Sequence, residues 1–308
     1  MKKFLTRSFI FSMPLIIWAL IVLVIDPFNY FNISHIISDE IKKANAETIN
    51  PLMYETIDCV NHPAENILVG DSRTRALPAD EIKKLSGIQY KKLVASAAKL
   101  NEIFDLIYFS DAQRKLKHIV VGINFNMFNK YGYADRITAV KEIMANPFKY
   151  IFNRNIAQAG FYVVKAAVTG KNIDTHPPLN PEKFWKYMIK KRATEWYSKY
   201  KFPEQTYARL KSLDSFAVAN HIELTFIIVP HNREFHDRLV SFGLENEEAR
   251  FKEIMSSLSA RVIDYDFENA ITADRNNFDD PVHYNKKTGL LMVNEIWSDS
   301  FAVGKVLK

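Results

Sequence analysis

The sequence predicts a three-layer α/β/α domain carried on one membrane anchor, and three observations lead there. Five short runs rich in β-branched and aromatic residues recur between residues 66 and 265, helical patterns separate them, and an uncharged stretch of 18 residues lies near the N-terminus. The runs are "NILVG" (66–70), "YKKLVAS" (90–96), "HIVVGIN" (118–124), "ELTFIIVP" (223–230) and "ARVIDY" (260–265). Several are apolar nearly throughout, which suits strands buried on both faces of a parallel sheet. Strands alternating with helices imply right-handed crossovers that cover both faces of a sheet of about five strands. With 308 residues, 48% of them hydrophobic, the chain can bury one sizeable core.

The elements follow in chain order. Residues 8–25, "SFIFSMPLIIWALIVLVI", carry no charge, and at 1.5 Å per residue they reach roughly 27 Å, close to the hydrocarbon thickness of a bilayer. Lys2, Lys3 and Arg7 precede this stretch, and the next basic residues are Lys42 and Lys43. The charge bias puts residues 1–7 in the cytoplasm and the rest of the chain in the periplasm or outside the cell, as a single-pass protein of the inner or plasma membrane. "ANA" at 44–46 resembles a signal-peptidase site but lies far beyond the apolar run, so an uncleaved transmembrane helix is expected rather than a signal peptide. Residues 26–61 show no strong period and read as a stalk, with the domain over 62–308.

Within the domain, "PADEIKKLSG" (78–87) starts on Pro78, has acids in its first turn and lysines in its last, and ends at Gly87, the punctuation of a helix. "EQTYARLKSLDSFAVANH" (204–221) places Tyr207, Leu210, Leu213 and Ala217 at helical spacing. Between about 130 and 202 the connection is far longer than a crossover needs, which predicts a helical insertion. It is basic and aromatic: Lys183, Lys186, Lys190, Lys191, Arg192, Lys199 and Lys201 interleave with Phe184, Trp185, Tyr187, Trp196, Tyr197 and Tyr200. Two readings stand side by side: helices that pack aromatics inward with lysines in water, or a lid that stacks sugars and attracts an anionic glycan.

Composition removes several classes. Cys59 is the only cysteine, which excludes an intramolecular disulfide. The net charge of +6 is modest, and without zinc-finger spacing or an Arg-rich helix no nucleic-acid partner is expected. His231 and His236 are five apart rather than at the spacing of a helical zinc pair, so no metal and no cofactor are expected. No internal repeat or low-complexity tract is present.

The chemistry centres on "ILVGDSRT" (67–74), an apolar run that stops at Gly-Asp-Ser. A serine hydroxyl needs a base within hydrogen-bond reach to act as a nucleophile. "NNFDDPVHYNKKTG" (276–289), after the fifth run, sets Asp280 three residues before His283. Loops after the carboxyl ends of parallel strands share one rim, so Ser72 and His283 can meet there although 211 residues separate them. Asp280, favoured over Asp279 by spacing, would orient the imidazole. Oxyanion donors are the backbone N–H of Ser72, that of Ala97 or its neighbour after the second strand, and the side-chain amide of Asn124 after the third. Arg73 either binds a substrate anion or pairs with a nearby carboxylate such as Asp71. His231 sits on the same rim and either touches substrate or is a solvent-exposed loop residue.

These segments, "GDSR", "G-I-N" and "D-P-V-H", resemble blocks I, III and V of the SGNH (GDSL-like) hydrolase superfamily, over residues 66 to about 297 without the insertion. The resemblance implies a flavodoxin-like α/β/α fold with Ser72 as nucleophile, His283 as base, Asp280 as its partner and Asn124 in the oxyanion hole. Ala97 stands where block II has a glycine, and Phe125 follows the block III asparagine in place of the common aspartate. With its anchor and long insertion the chain is similar to the envelope branch, which includes proteins of alginate O-acetylation and teichoic-acid D-alanylation. That similarity implies serine esterase or O-acyltransferase chemistry on a cell-envelope polysaccharide or its acyl donor, with a membrane-bound partner for acyl transfer. A non-catalytic, polysaccharide-binding scaffold of the same fold is the alternative.

Overall fold

A computed structural model describes residues 1–174 and 180–308, the side chains of Lys2 and Leu5 excepted. Residues 175–179, inside the expected insertion, lie outside the described residues. The chain divides into two compact units: Pro63–Asp135 with Pro178–Lys308, and Met1–His62 with Arg136–Pro177.

The first unit is the α/β domain. Its strands are β1 (Asn66–Gly70), β2 (Lys91–Val94), β3 (His118–Ile123), β4 (Glu223–Ile228), β5 (Arg261–Asp264), β6 (Phe278–Asp280), β7 (His283–Tyr284) and β8 (Lys305–Val306). The main sheet has the order β2-β1-β3-β4-β5-β8; the first five strands are parallel and β8 is antiparallel to β5. Strands leave in opposite directions from β1 and β3, the switch point at which doubly wound sheets open a crevice beyond their carboxyl ends. This is the α/β/α class the sequence predicts, with β8 added.

The β8 strand lacked a signal because its two residues are exposed and its placement is tertiary. The Glu295 carboxylate accepts the backbone N–H groups of Ala302, Val303 and Gly304 at 2.8–2.9 Å, and a Cβ on Gly304 would strike the Tyr265 ring. The helix Ala79–Ser86 ends at Gly87 in the left-handed region, φ 72°, where glycine carries no steric penalty. The helix Glu204–Ala219 buries Thr206, Leu210, Leu213 and Ala217, so its inner stripe runs through Thr206 rather than Tyr207. Leu68, Val120, Ile227 and Ile263 of the sheet pack with Leu77, Ile82, Met292, Val293 and Ile296 into one core.

The second unit is helical and corrects the stalk. After the helix Lys2–Ile25, residues 39–61 form Asp39–Lys42, a π-helical turn Lys43–Glu47 and the helix Pro51–Asn61. Helices Arg136–Met144, Pro147–Ile151 and Arg154–Thr169 complete it, and Val22, Phe28, Met53, Ile57, Tyr150 and Ile156 share its core. No apolar period announced this because polar side chains are buried and satisfied by specific partners, both near and far in the chain. The Asp26 carboxylate accepts from the N–H groups of Tyr30, Phe31 and Asn32 and from the Tyr150 hydroxyl, at 2.8–3.0 Å. Lys42 Nζ donates to Asn29 Oδ1 and the Ser34 carbonyl, and Asn45 donates to Asn172. The expected insertion of residues 130–202 is therefore not one element, since 136–174 joins the helical unit and 180–202 joins the α/β domain. Thr6–Ile25 is long and apolar enough to cross a membrane.

Candidate active site

The site begins where β1 ends. Asp71 caps a 3-10 turn, Ser72–Ala76, its carboxylate accepting the Arg73 N–H at 3.0 Å. The turn lies tightly on the sheet: a Cβ at Gly70 or at Gly122 would collide with Thr74 Oγ1. Glycine at both positions thus lets the turn settle over β1 and β3 and holds Ser72 at the rim. As the first residue of a helical turn, Ser72 also presents a backbone N–H without an intrahelical acceptor.

His283 reaches the same point from the far end of the chain. β6 and β7 form a two-stranded antiparallel hairpin across Pro281-Val282, tied down by the Asn232 N–H on the Pro281 carbonyl at 2.9 Å. Asp280 Oδ1 accepts the N–H groups of Val282 and His283 at 2.9 and 3.1 Å, which aims Oδ2 at His283 Nδ1, 2.7 Å away. His283 Nε2 lies 2.8 Å from Ser72 Oγ. An ionised carboxylate only accepts, so Nδ1 carries the proton and Nε2 is left to accept from the serine hydroxyl. Burial pushes the Asp280 carboxyl up, but the hydrogen bond and charge of His283 and two backbone N–H groups outweigh it and hold the group below its ordinary 3.8. Asp279 is exposed.

Asn124 and His231 are placed differently from expectation, and Arg73 takes the second of its two readings, the pairing with Asp71. Asn124 is fully buried, 0% exposed, and its amide donates to the Val229 carbonyl at 2.6 Å and to Asp266 Oδ2 at 2.9 Å. Both amide hydrogens are spent, so it is not an oxyanion donor. Arg73 is not a substrate-anion ligand: its guanidinium is buried and forks onto Asp71, with Nε 3.1 Å from both carboxylate oxygens and Nη2 2.7 Å from Oδ2. Burial raises the Asp71 carboxyl and the Arg73 charge more than reverses it, leaving Asp71 below its usual value. His231 is neither solvent-exposed nor on Ser72's cleft. It is 3% exposed and its Nε2 accepts from Arg73 Nη1 at 2.9 Å. Burial, then the Arg73 charge, pushes its pKa well below 6.5, so it is neutral with the proton on Nδ1, facing Asp266.

The residue that sequence reasoning missed is Asn126. Its Oδ1 accepts from Arg73 Nη1 at 2.8 Å, and it lines the cleft with Ser72 and His283. No acceptor for its Nδ2 is present among the described residues. The available signal was the second asparagine of "NFN", two positions past the one chosen. Ala97 does line the cleft, in the left-handed region at φ 57°, the conformation a glycine adopts freely and an alanine holds at a cost.

The cleft has a volume of about 360 Å³. Besides Ser72, His283, Asp280, Ala97 and Asn126, its walls are Tyr131, Phe184, Met188, Arg192, Glu195 and Trp196, with Lys99 and Met127. In the segment 181–197 Trp185, Met188, Ala193 and Tyr197 pack inward while its lysines face solvent, the first of the two readings, and Phe184 and Trp196 form cleft wall. Among the described residues no cluster of three or more His, Cys, Asp or Glu is placed to hold a metal.

No protein-family model matches the chain, and no curated protein does. Solved structures similar to it include a candidate platelet activating factor from Streptococcus pneumonia, at 10% identity over 83% of this chain and 92% of that one, with a TM-score of 0.44. A candidate lipolytic protein of the G-D-S-L family from Desulfitobacterium hafniense aligns at 10% identity over 77% of this chain and 100% of its own, with a TM-score of 0.38. The functional reading is carried by the site itself.

Proposed function

We propose that this chain is a membrane-anchored serine esterase or O-acyltransferase acting through an acyl-Ser72 intermediate on acyl esters of a cell-envelope polysaccharide. One observation carries the proposal: Asp280, His283 and Ser72 form an unbroken hydrogen-bonded chain, 2.7 and 2.8 Å, at the crevice of a doubly wound sheet. Position and charge assign the roles. His283 Nε2 takes the hydroxyl proton as Ser72 Oγ bonds to the ester carbonyl carbon, and Asp280 stabilises the imidazolium that results. The oxyanion that develops is met by the Ser72 N–H and by Asn126 Nδ2, with the Ala97 turn as the third wall; one such donor is worth about 3–4 kcal/mol of barrier. Collapse breaks the bond to the alcohol, which leaves with the proton from His283, and the acyl group stays on Ser72. Water or a sugar hydroxyl then gives its proton to His283 as its oxygen bonds to the acyl carbon, and collapse breaks the bond to Ser72 Oγ, which takes that proton back from His283, so hydrolysis and transfer share the first half-reaction.

The walls support a sugar substrate. Tyr131, Phe184 and Trp196 offer flat apolar faces to sugar rings, and Arg192, paired with Glu195 at 3.0 Å, gives the rim polar groups for sugar hydroxyls, as suits a glycan. Thr6–Ile25 serves as the anchor, with Lys2, Lys3 and Arg7 holding its start in the cytoplasm. The test is covalent labelling of the full chain with a fluorophosphonate, comparing wild type with Ser72→Ala. Labelling of the wild type alone, with turnover of a small acetyl ester that falls by several orders of magnitude in the variant, is expected. A wild type that neither labels nor turns over any ester, while binding an envelope polymer, replaces the enzyme by a scaffold.

A further inference from the structure

The N-terminal helix is packed by protein on one side before its apolar stretch ends. Val22 is buried, and Trp18 and Ala19 pack against the cluster to which Val22, Tyr150, Ile151, Ile156 and Ala159 belong. The Trp18 indole N–H donates to the Ile151 carbonyl at 2.9 Å. Trp18 precedes Ile25 by seven residues, about 10 Å back along the axis at 1.5 Å per residue. The helix Pro147–Ile151 thus sits beside a part of the chain well inside Thr6–Ile25. Gly160 lies against Ile25, its absent Cβ only 3.9 Å from Ile25 Cγ2.

The outward faces have the chemistry such a position demands. On Arg154–Thr169, Ile156, Ala159, Val163 and Ala166 turn inward. Phe161, Val164 and Val168, at i, i+3 and i+7, form an exposed stripe in which Phe161 is 64% and Val168 80% exposed. Phe148 and Phe152 are exposed as well. Between Glu142 and Asp174 there is no acidic residue, whereas Lys149, Arg154, Lys165 and Lys171 are basic, a composition suited to anionic headgroups. In hydrocarbon the indole N–H and the helix-end carbonyl would each need a partner, and here each satisfies the other.

We propose that Pro147–Thr169 is a monotopic membrane element whose exposed apolar face is embedded in the acyl-chain region of the leaflet from which the N-terminal helix emerges. The proposal rests on Thr6–Ile25 being the anchor, and it gives the helical unit two fixed attachments to the bilayer instead of one swivelling tether. An insertion of about 5–10 Å is the usual depth of such helices, which matches the level of Trp18.

The experiment uses the full chain in vesicles of phosphatidylglycerol and phosphatidylcholine, keeping the buried Cys59 and adding one thiol at a time for an environment-sensitive fluorophore. Leu15→Cys reports the anchor, Phe161→Cys the proposed element and the exposed Glu253→Cys the aqueous phase. Val168→Cys provides a second reading of the element, and cooperative thermal unfolding confirms that each variant folds. Doxyl-labelled lipid is expected to quench the probes at 15, 161 and 168 severalfold and to leave 253 unchanged. Quenching at 15 without quenching at 161 or 168 overturns the proposal and leaves the anchor standing. No quenching at 15 overturns the anchor and the proposal together.

Discussion

An asparagine amide stabilises an oxyanion only if one of its hydrogens is kept for the substrate. Asn126 meets that condition, because Arg73 holds its oxygen, and Asn124 does not, because Val229 and Asp266 take both of its hydrogens. Asn126→Ala is therefore expected to lower kcat by about 10²–10³-fold with little change in KM, since the lost bond forms only in the transition state. Asn124→Ala should instead leave Asp266 and the Val229 carbonyl short of a donor and cost about 1–3 kcal/mol of stability. Small-ester kinetics and denaturant midpoints on the two variants separate them, and a kcat loss confined to Asn124→Ala would refute the assignment. The sequence put a polar residue at the end of β3 but could not say which asparagine turns toward the cleft. That choice is made by Asp266, 142 residues away, and by a 3-10 turn at Phe125–Met127 that exposes the second amide.

Elements with a local cause were legible in the sequence: the five parallel strands from their apolar runs, Ala79–Ser86 from its charges and Gly87, and the Asp280–His283 turn from its spacing. Within that turn Asp280 does two jobs, holding the hairpin backbone with Oδ1 and the imidazole with Oδ2. Its carboxyl sits lower in the folded chain than its ordinary 3.8. A group lowered by folding contributes stability above its unfolded pKa, and the contribution is lost as pH falls through the folded one. Asp280→Asn should accordingly be less stable than wild type at neutral pH, and the gap should narrow as pH drops below about 4. Urea midpoints across that range check the sign, and a gap that widens with acid would contradict it. The same variant should lose about 10⁴-fold in kcat, the scale expected when the wrong imidazole tautomer is enforced.

At the scale of the whole chain, the division into units was the least legible feature. A segment without periodicity, residues 26–61, proves ordered because Asp26, Lys42 and Asn45 are buried against specific partners, and binary patterning registers buried polar residues only as noise. The long connection after β3 was visible as an excess of residues, yet its two parts go to different cores. The triad, Asn126, the Ala97 turn and every wall of the cleft belong to residues 63–135 and 180–308, and that unit has its own sheet and its own buried cluster. The two retained pieces are also bonded to each other, since the Lys130 N–H bonds to the Lys201 carbonyl at 2.9 Å and Asn129 donates to the Trp196 carbonyl at 3.0 Å. A chain of residues 63–135 joined to 180–308 through a flexible Gly/Ser bridge should therefore fold without detergent and hydrolyse a small acetyl ester within a few-fold of the full protein. Its action on a membrane-associated polymer should fall much further, because the anchor no longer concentrates enzyme and substrate on one surface. The checks are cooperative thermal unfolding, fluorophosphonate labelling of Ser72 and paired kinetics on both substrates. An aggregated or unlabelled product would mean that the helical unit completes the fold of the catalytic domain, and equal loss on both substrates would remove the surface argument.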